Sequence, residues 1–394
     1  MQGGNRLKKI TILGSTGSIG TQSLEVIDDK KGFRAFALSV HSNIKLLEEQ
    51  IRKFKPEFAC VTDEVKAKEL KISVADTDTK VLTGKDGLTE IASNPNADTV
   101  ITAIVGVAGL EPTMAALEST KRIGLANKET LVTAGELVMN KARENGCEII
   151  PVDSEHSAVF QCMSARVNDK NYDEEVKRII LTCSGGPFFG KTEEELKNIT
   201  AKDALKHPNW DMGAKITIDS ASLMNKGLEV LEAKHLFGVP FDKIEVLIHR
   251  QSIVHSMVEF CDNAIISQMG TPDMKLPIQY ALTYPERLKM TKNELDLTKT
   301  PLTFEKPDMD TFRCLPLAIK AGKIGGTMPA VLNGANEAAV ALFLNGKIGF
   351  LDIAELVCCA MEEHKKQEVK CVLDVLSADA WAREYVLSKI HKLH

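Results

Sequence analysis

The chain has 394 residues, is 44% hydrophobic and 26% charged, and carries a formal net charge of −5, a soluble globular composition long enough for two or three domains. This acidic balance gives no sequence-wide reason to expect nucleic acid or an anionic membrane as partner, so affinity for an anionic ligand has to come from a local cluster of donors. No apolar stretch approaches the roughly 20 residues of a membrane helix, and the nine cysteines show no CxxC pair or zinc-like spacing, which suits reduced thiols in a cytoplasmic protein.

The polar, basic residues 1–9 run straight into a strand, without a secretory apolar region. Residues 9–13 form a short β-rich run ending at Gly14, and 21–28 read as a helix, the opening of a βαβ unit. A strand at 34–40, a helical segment at 44–54 and a strand at 58–61 follow. The continuous apolar run 99–105 suits a parallel strand buried on both faces. This alternation predicts an α/β, Rossmann-like doubly wound domain over 1–150.

From Pro151 polar clusters appear, at 153–157, 184–187, 207–213 and 219–229, among strand-like segments at 178–182, 215–218, 244–248, 253–260 and 264–269. They predict a mixed α/β domain over 151–285. A polar, proline-bearing connecting segment over 286–311 leads to an α-helical domain over 312–394, clearest at 336–340 and 353–361.

The string GSTGSIG at 14–20 sits where a strand ends and a helix begins, so its glycines allow a tight turn and close backbone approach to a pyrophosphate. Its spacing is GxxGxxG rather than GxGxxG, and a glycine turn without ligand is the plainer alternative. An NAD site places Asp or Glu at the end of the second strand to hold the ribose 2′-hydroxyl. Here that strand ends Ser39-Val40-His41-Ser42-Asn43, with no carboxylate and with hydroxyl and imidazole donors, which favours NADPH.

Asp153-Ser154-Glu155 follows the apolar run 149–152; in extended chain positions i and i+2 share a face, so Asp153 and Glu155 converge. Such oxygens suit Mg2+ or Mn2+, and an acidic loop or helix cap is the plainer reading. Residues 219–229 read as one helix entered through an Asp or Ser cap, with Ser222, Asn225 or Lys226, and Glu229 on one face, which is equally the pattern of a solvated stripe. Ser184-Gly185-Gly186 offers a hydroxyl and glycine backbone to a phosphate, or forms a simple turn. The segment 207–213, with His207 and Trp210 between Pro208 and Gly213, suits a lid or a packed surface loop. Lys128 precedes the domain change, and lone lysines usually face solvent. There is no GxSxG elbow, HExxH or P-loop lysine, so the residues alone point to a metal-assisted NADP oxidoreductase for an anionic substrate.

In this order the clusters resemble the 1-deoxy-D-xylulose 5-phosphate reductoisomerase family. The strings are GSTGSIG at 14–20, LANKET at 125–130, PVDSEHSA at 151–158, SGGPF at 184–188 and HPNWDMG at 207–213. They continue as DSASLMNKGLEVLEA at 219–233, IHRQSIVHSMVEF at 248–260, MGTPDMKLPIQYALTYPER at 269–287 and NGANEAAV at 333–340.

That resemblance implies Asp153, Glu155 and Glu229 as metal ligands, with Lys128 joining them in catalysis. It implies Ser184, His207, Ser220 and Asn225 as contacts to the phosphate and nearby substrate, and Ser154, Lys226 and Lys128 toward the substrate's oxygens. Thr16, Gly17, Ser18, Ile19, Asn43, Asn127, Glu129 and Gly213 are implied at the cofactor, and Trp210 and Met212 in a closing loop. The implied reaction isomerises and reduces 1-deoxy-D-xylulose 5-phosphate to 2-C-methyl-D-erythritol 4-phosphate, in the non-mevalonate route to isoprenoids. A homodimer built partly on the second sheet is implied as well. His41-Ser42-Asn43 departs from the Gly-Lys/Arg-Asn-like string of many members, which removes the usual cation for the 2′-phosphate. Two rivals stand beside this reading: a semialdehyde dehydrogenase-like reductase using a cysteine nucleophile, and a non-catalytic NADP-sensing protein with a relic site. His249 and His255, in strand-like sequence, read as packing residues rather than catalysts.

Overall fold

A computed structural model describes residues 6–165, 172–210, 212–290 and 294–389. They fall into two compact units, 1–130 with 138–154 and 273–291, and 131–137 with 155–272 and 292–394.

The first unit is built on seven strands, β1 (Lys8–Leu13), β2 (Phe33–Val40), β3 (Phe58–Val61), β4 (Lys80–Thr83), β5 (Thr99–Thr102), β6 (Arg122–Leu125) and β7 (Glu148–Pro151). All pair in parallel, in the order β4-β3-β2-β1-β5-β6-β7. The order reverses between β1 and β5, and in such sheets the ligand crevice opens at the carboxyl ends of the strands flanking the reversal. Ile10, Ile12, Leu13, Val100 and Ile101 are fully buried there, as apolar parallel strands covered on both faces must be. The doubly wound expectation is borne out, with β5 ending at Thr102 rather than running through the apolar stretch to 105. Helix Lys275–Thr283 packs in this unit, with Lys275 Nζ 2.5 Å from Glu25 of helix Ser18–Asp29.

The second unit carries a four-stranded mixed sheet of β8 (Val176–Cys183), β9 (Ile244–Ile248), β10 (Val254–Phe260) and β11 (Ile265–Met269), in the order β11-β10-β8-β9. β8 runs parallel to β9 and antiparallel to β10. Helices Met328–Leu344, Asp352–Glu363 and Val372–Lys389 form the helical region expected near the end of the chain. Their polar anchor is the half-buried Arg383, which pairs with Asp379 at 2.6 Å and Glu337 at 2.5 Å.

Residues 215–218, expected as a strand for their β-branched run, lie in helix Ala214–Ala221. Tertiary pairing overrides propensity: helical spacing brings Lys215 to Asp219, 2.9 Å apart, and buried Asp219 also accepts from Asn336 at 2.8 Å. The single helix expected over 219–229 is two, because Leu223 takes a left-handed conformation (φ 61°) and a new helix, Met224–Phe237, starts behind it.

Candidate active site

At the end of β1 the chain turns through Gly14, whose φ of +89° and proximity to Ala103 exclude a side chain; a Cβ would lie 2.7 Å from the Ala103 carbonyl oxygen. The turn hangs on β2, since the Gly14 and Ser15 amides donate to the Ser39 carbonyl at 3.1 and 2.8 Å. A Cβ on Gly20 would meet the Gly14 oxygen at 2.3 Å, so the first helical turn rests on the loop backbone. Helix Ser18–Asp29 begins behind Gly17 with no side-chain cap, and Gly17 and Ser18 are exposed while Thr16 and Ile19 are half-buried. Uncapped amides at a helix start beside a glycine turn fit a pyrophosphate. This string therefore passes the steric test of a dinucleotide cradle. Asn43, at the end of β2, caps helix Ile44–Phe54 by accepting from the Leu46 amide at 3.4 Å.

Two strands along, β6 is followed after Ala126 by Asn127-Lys128-Glu129, all buried at the start of helix Lys128–Asn145. Asn127 caps that helix by accepting from the Thr130 amide at 2.9 Å, and its own amide donates to the Gly106 carbonyl at 2.9 Å and to Glu129 at 3.3 Å. Lys128 is not the solvent-facing lysine that a lone lysine usually is: its side chain is 7% exposed and its ammonium donates to Asp153 at 2.7 Å.

Asp153 follows β7 after Val152, and the chain enters helix Ser154–Met163 at the next residue. Glu155 lies in the first turn of that helix rather than in extended chain, so strand alternation is not the reason it falls near Asp153. Helix Ser154–Met163 also brings Glu155 to helix Met224–Phe237. The carboxylates of Glu155 and Glu229 lie within 4.8 Å of one another. Lys226, 2% exposed, pairs with both, at 3.2 Å from Glu155 and in direct contact with Glu229. Asn225 donates to the other Glu229 oxygen at 2.6 Å. Two carboxylates against one ammonium leave a net negative charge in a nearly buried place, and Asp153 stands two residues before Glu155. Converging hard oxygens with excess negative charge fit a divalent cation.

His156 anchors this pair, although no local pattern in the sequence marks it out. Its Nε2 donates to the Glu229 carbonyl at 2.9 Å, its Nδ1 lies 3.5 Å from Glu232, and its ring stacks on Phe237.

The turn after β8 carries the residues expected at the phosphate. Gly185 and Gly186 are both left-handed, and a Cβ on Gly186 would sit 2.7 Å from the Ser220 carbonyl oxygen, which brings the Ser184 and Ser220 segments together. The Ser184 hydroxyl is 3.0 Å from His207 Nε2 and accepts from the Gly186 amide at 3.2 Å. His207 Nδ1 accepts from the Asn209 and Trp210 amides at 3.2 and 3.0 Å, so the neutral ring carries its proton on Nε2 and donates to Ser184. Burial, and secondarily the Arg250 charge, push His207 down to about 4, which keeps it neutral. With both lone pairs engaged, the Ser184 proton is directed elsewhere, as an anion contact requires. Cys183, adjacent to Ser184, is pushed up to about 11 by burial and feels the charges of Lys226, Glu229 and Glu155. A thiol held protonated is a poor nucleophile, which weighs against the cysteine-dependent rival.

Trp210 and Met212 are half-buried in the loop, with the Trp210 ring 6.4 Å from His255; Asp211 lies outside the described residues. Gly213 is exposed at the start of helix Ala214–Ala221. Ser222, read beside Asn225 on one helix face, instead sits buried in the break between two helices, donating to the Asp219 carbonyl at 3.3 Å. His249 is fully buried, taking the Ile253 and Val254 amides on Nε2 and donating from Nδ1 to the Thr303 carbonyl at 2.8 Å, a packing role as expected.

Residues 10–135 match the family described as 1-deoxy-D-xylulose 5-phosphate reductoisomerase, and residues 149–237 and 269–385 match its two C-terminal domain descriptions. The chain is 54% identical over 377 residues to the reductoisomerase of Ruminiclostridium cellulolyticum, covering 95% of this chain and 97% of that one. It is 54% identical over 388 residues to that of Heliobacterium modesticaldum, covering 98% of each. Among solved structures it resembles the Zymomonas mobilis enzyme in complex with NADPH, with TM-score 0.91 and 41% identity over 98% of this chain and 99% of that one. A reductoisomerase in complex with NADPH, fosmidomycin and magnesium gives TM-score 0.93 and 42% identity over the same shares.

Proposed function

The chain belongs to the 1-deoxy-D-xylulose 5-phosphate reductoisomerase family, and from that premise we propose how its own residues carry the reaction. The enzyme converts 1-deoxy-D-xylulose 5-phosphate to 2-C-methyl-D-erythritol 4-phosphate with NADPH and a divalent metal. The observation that carries the site assignment is the buried Glu155–Lys226–Glu229 cluster.

When bound, the cation supplies Lewis-acid polarisation of adjacent substrate oxygens, and NADPH supplies the hydride. Asp153, Glu155 and Glu229 would hold Mg2+ or Mn2+, and their carboxylates tie Lys128 and Lys226 close by as donors toward substrate oxygens. Ser154 meets a substrate hydroxyl. Ser184, with its proton directed away from His207, binds the phosphate together with Ser220 and Asn225. Phosphate contacts remote from the reacting carbons contribute binding energy used for orientation. Thr16, Gly17, Ser18, Ile19, Asn43, Asn127, Glu129 and Gly213 receive the cofactor. Trp210 and Met212 close over the substrate and exclude water. We assign a retro-aldol/aldol path to the carbon skeleton rather than a concerted shift.

Cofactor binding is assigned to 1–150, catalysis and dimerisation to 151–285, with 286–311 connecting to the helical 312–394. Residues 1–5, 166–171, 211, 291–293 and 390–394 of these spans lie outside the described residues. Among the described residues no helix is long and apolar enough to cross a membrane. We place the enzyme in the cytoplasm as a homodimer, a reading supported by the exposed apolar residues Ile265, Ile266 and Met269 on edge strand β11.

The test follows NADPH oxidation with 1-deoxy-D-xylulose 5-phosphate in Mn2+ or Mg2+, then in excess chelator, for wild type and Glu229→Gln. Oxidation dependent on substrate and metal and greatly weakened in the variant supports the assignment. Activity that is indifferent to chelator would remove the metal from it.

A further inference from the structure

The string at 248–260 contains two charged side chains that none of the assigned roles uses: Glu259, which pairs with Lys177 and Arg178 across the sheet, and Arg250. Its guanidinium donates from Nη1 to the carbonyl oxygens of both Ser184 and Gly186, the latter at 2.7 Å. The same guanidinium lies 5.0 Å above the Phe189 ring, which restricts it to one orientation. From its backbone, the Arg250 carbonyl accepts from Asn209 of the 207–213 loop at 2.7 Å, and Asn209 also donates to Ser252 at 2.8 Å.

We propose that Arg250 is a positioning residue for the substrate phosphate: it draws the negative ends of the Ser184 and Gly186 carbonyls onto itself and adds a cation beside the anion site. The proposal rests on the reading of the Ser184 turn as the phosphate site.

Carbonyl oxygens near a bound dianion repel it, and a turn with two consecutive left-handed glycines has no regular ladder to occupy them. Arg250 occupies two of them with charge-assisted hydrogen bonds, which hold the backbone that aims the Ser184 hydroxyl. Its charge also reaches the site, since it contributes to holding His207 neutral, and the neutral ring is what donates to Ser184. Arg250 thus acts on the phosphate through the turn, through the field and through the loop that its carbonyl tethers.

The experiment compares Arg250→Met, Arg250→Lys and Ser184→Ala in the metal-loaded enzyme. The readouts are KM for 1-deoxy-D-xylulose 5-phosphate, kcat, KM for NADPH, and competitive inhibition by inorganic phosphate. Losing charged hydrogen bonds at the anion site in Arg250→Met is expected to raise KM and weaken phosphate inhibition together, each by about 10- to 100-fold, while kcat and KM for NADPH change little. Arg250→Lys keeps the charge but is shorter and loses the planar group that lies over Phe189, so it recovers only part of the loss. Phosphate inhibition unchanged in Arg250→Met, or a loss confined to kcat, overturns the proposal, and full recovery by lysine overturns the carbonyl-holding part. If Ser184→Ala leaves both KM and phosphate inhibition unchanged, the phosphate reading itself falls, whichever way Arg250 behaves.

Discussion

The imidazole of His156 donates from Nε2 to the backbone carbonyl of Glu229 at 2.9 Å, tying the helix that carries Glu155 to the helix that carries Glu229. A carbonyl only accepts, so the proton at Nε2 is fixed, and stacking on Phe237 fixes the ring plane. The separation of two proposed metal ligands thus depends on a side chain that is not itself one of them.

Replacing His156 by Leu is expected to weaken Mn2+ binding by about 10- to 100-fold, the range for groups that orient metal ligands. His156→Gln, which keeps a donor, should lose less. Calorimetric titration of the apoenzyme with Mn2+ measures this, and equal affinity in the leucine variant would remove the positioning role.

Lys226 is buried between Glu155 and Glu229, so Lys226→Met leaves two carboxylates facing each other. Removing one partner of a buried ion pair costs about 3–5 kcal/mol. Thermal melts without metal should show the loss, and saturating Mn2+ should restore a large part of it, because the cation replaces the ammonium's charge. A melting temperature indifferent to Mn2+ would contradict the metal reading.

Gly17 and Gly20 separate the fold from the proposed cofactor contact in the glycine turn after β1. A Cβ on Gly20 collides with the Gly14 and Ser15 backbone at 2.3 and 2.5 Å, so Gly20→Ala should destabilise the protein by about 1–3 kcal/mol and weaken NADPH. A Cβ on Gly17 comes no nearer than 3.5 Å to the Gly14 oxygen, so Gly17→Ala should fold normally and lose NADPH affinity alone. Denaturation together with NADPH fluorescence titration distinguishes the two, and normal NADPH affinity in Gly17→Ala would move the pyrophosphate elsewhere.

Burial holds His207 and His235 down at about 4, and lowers His249 and His364 as well. Above pH 6.5 these rings are neutral in both folded and unfolded chains. Below it the unfolded chain takes up protons that the folded one refuses, so stability falls as pH drops from about 6.5 toward 4. Melting temperatures across that window should decline, and His207→Gln should decline less steeply. A protonated His207 also ceases to accept the Asn209 and Trp210 amides, so the loop should become more susceptible to proteolysis over the same range.

Local sequence suffices for the parallel nucleotide-binding fold, the glycine turn after β1 and the family. Apolar runs of strand length, a turn that only glycine can make, and strings whose order is specific even where each is weak all lie within a few neighbouring residues. The same local reading makes 215–218 a strand because β-branched residues favour one, whereas the helix is selected by Asp219 meeting Lys215 and, 117 positions on, Asn336. It merges two helices at Leu223 because no glycine or proline announces that left-handed residue. It pairs Glu155 with Asp153 by strand alternation, whereas Glu155 lies in a helix, and that helix's packing also brings in Glu229 from another helix through Lys226. His156 and Arg250 escape it for the same reason. Their roles are hydrogen bonds to backbone carbonyls 73 and 64–66 residues away, and such contacts exist only once the chain has packed.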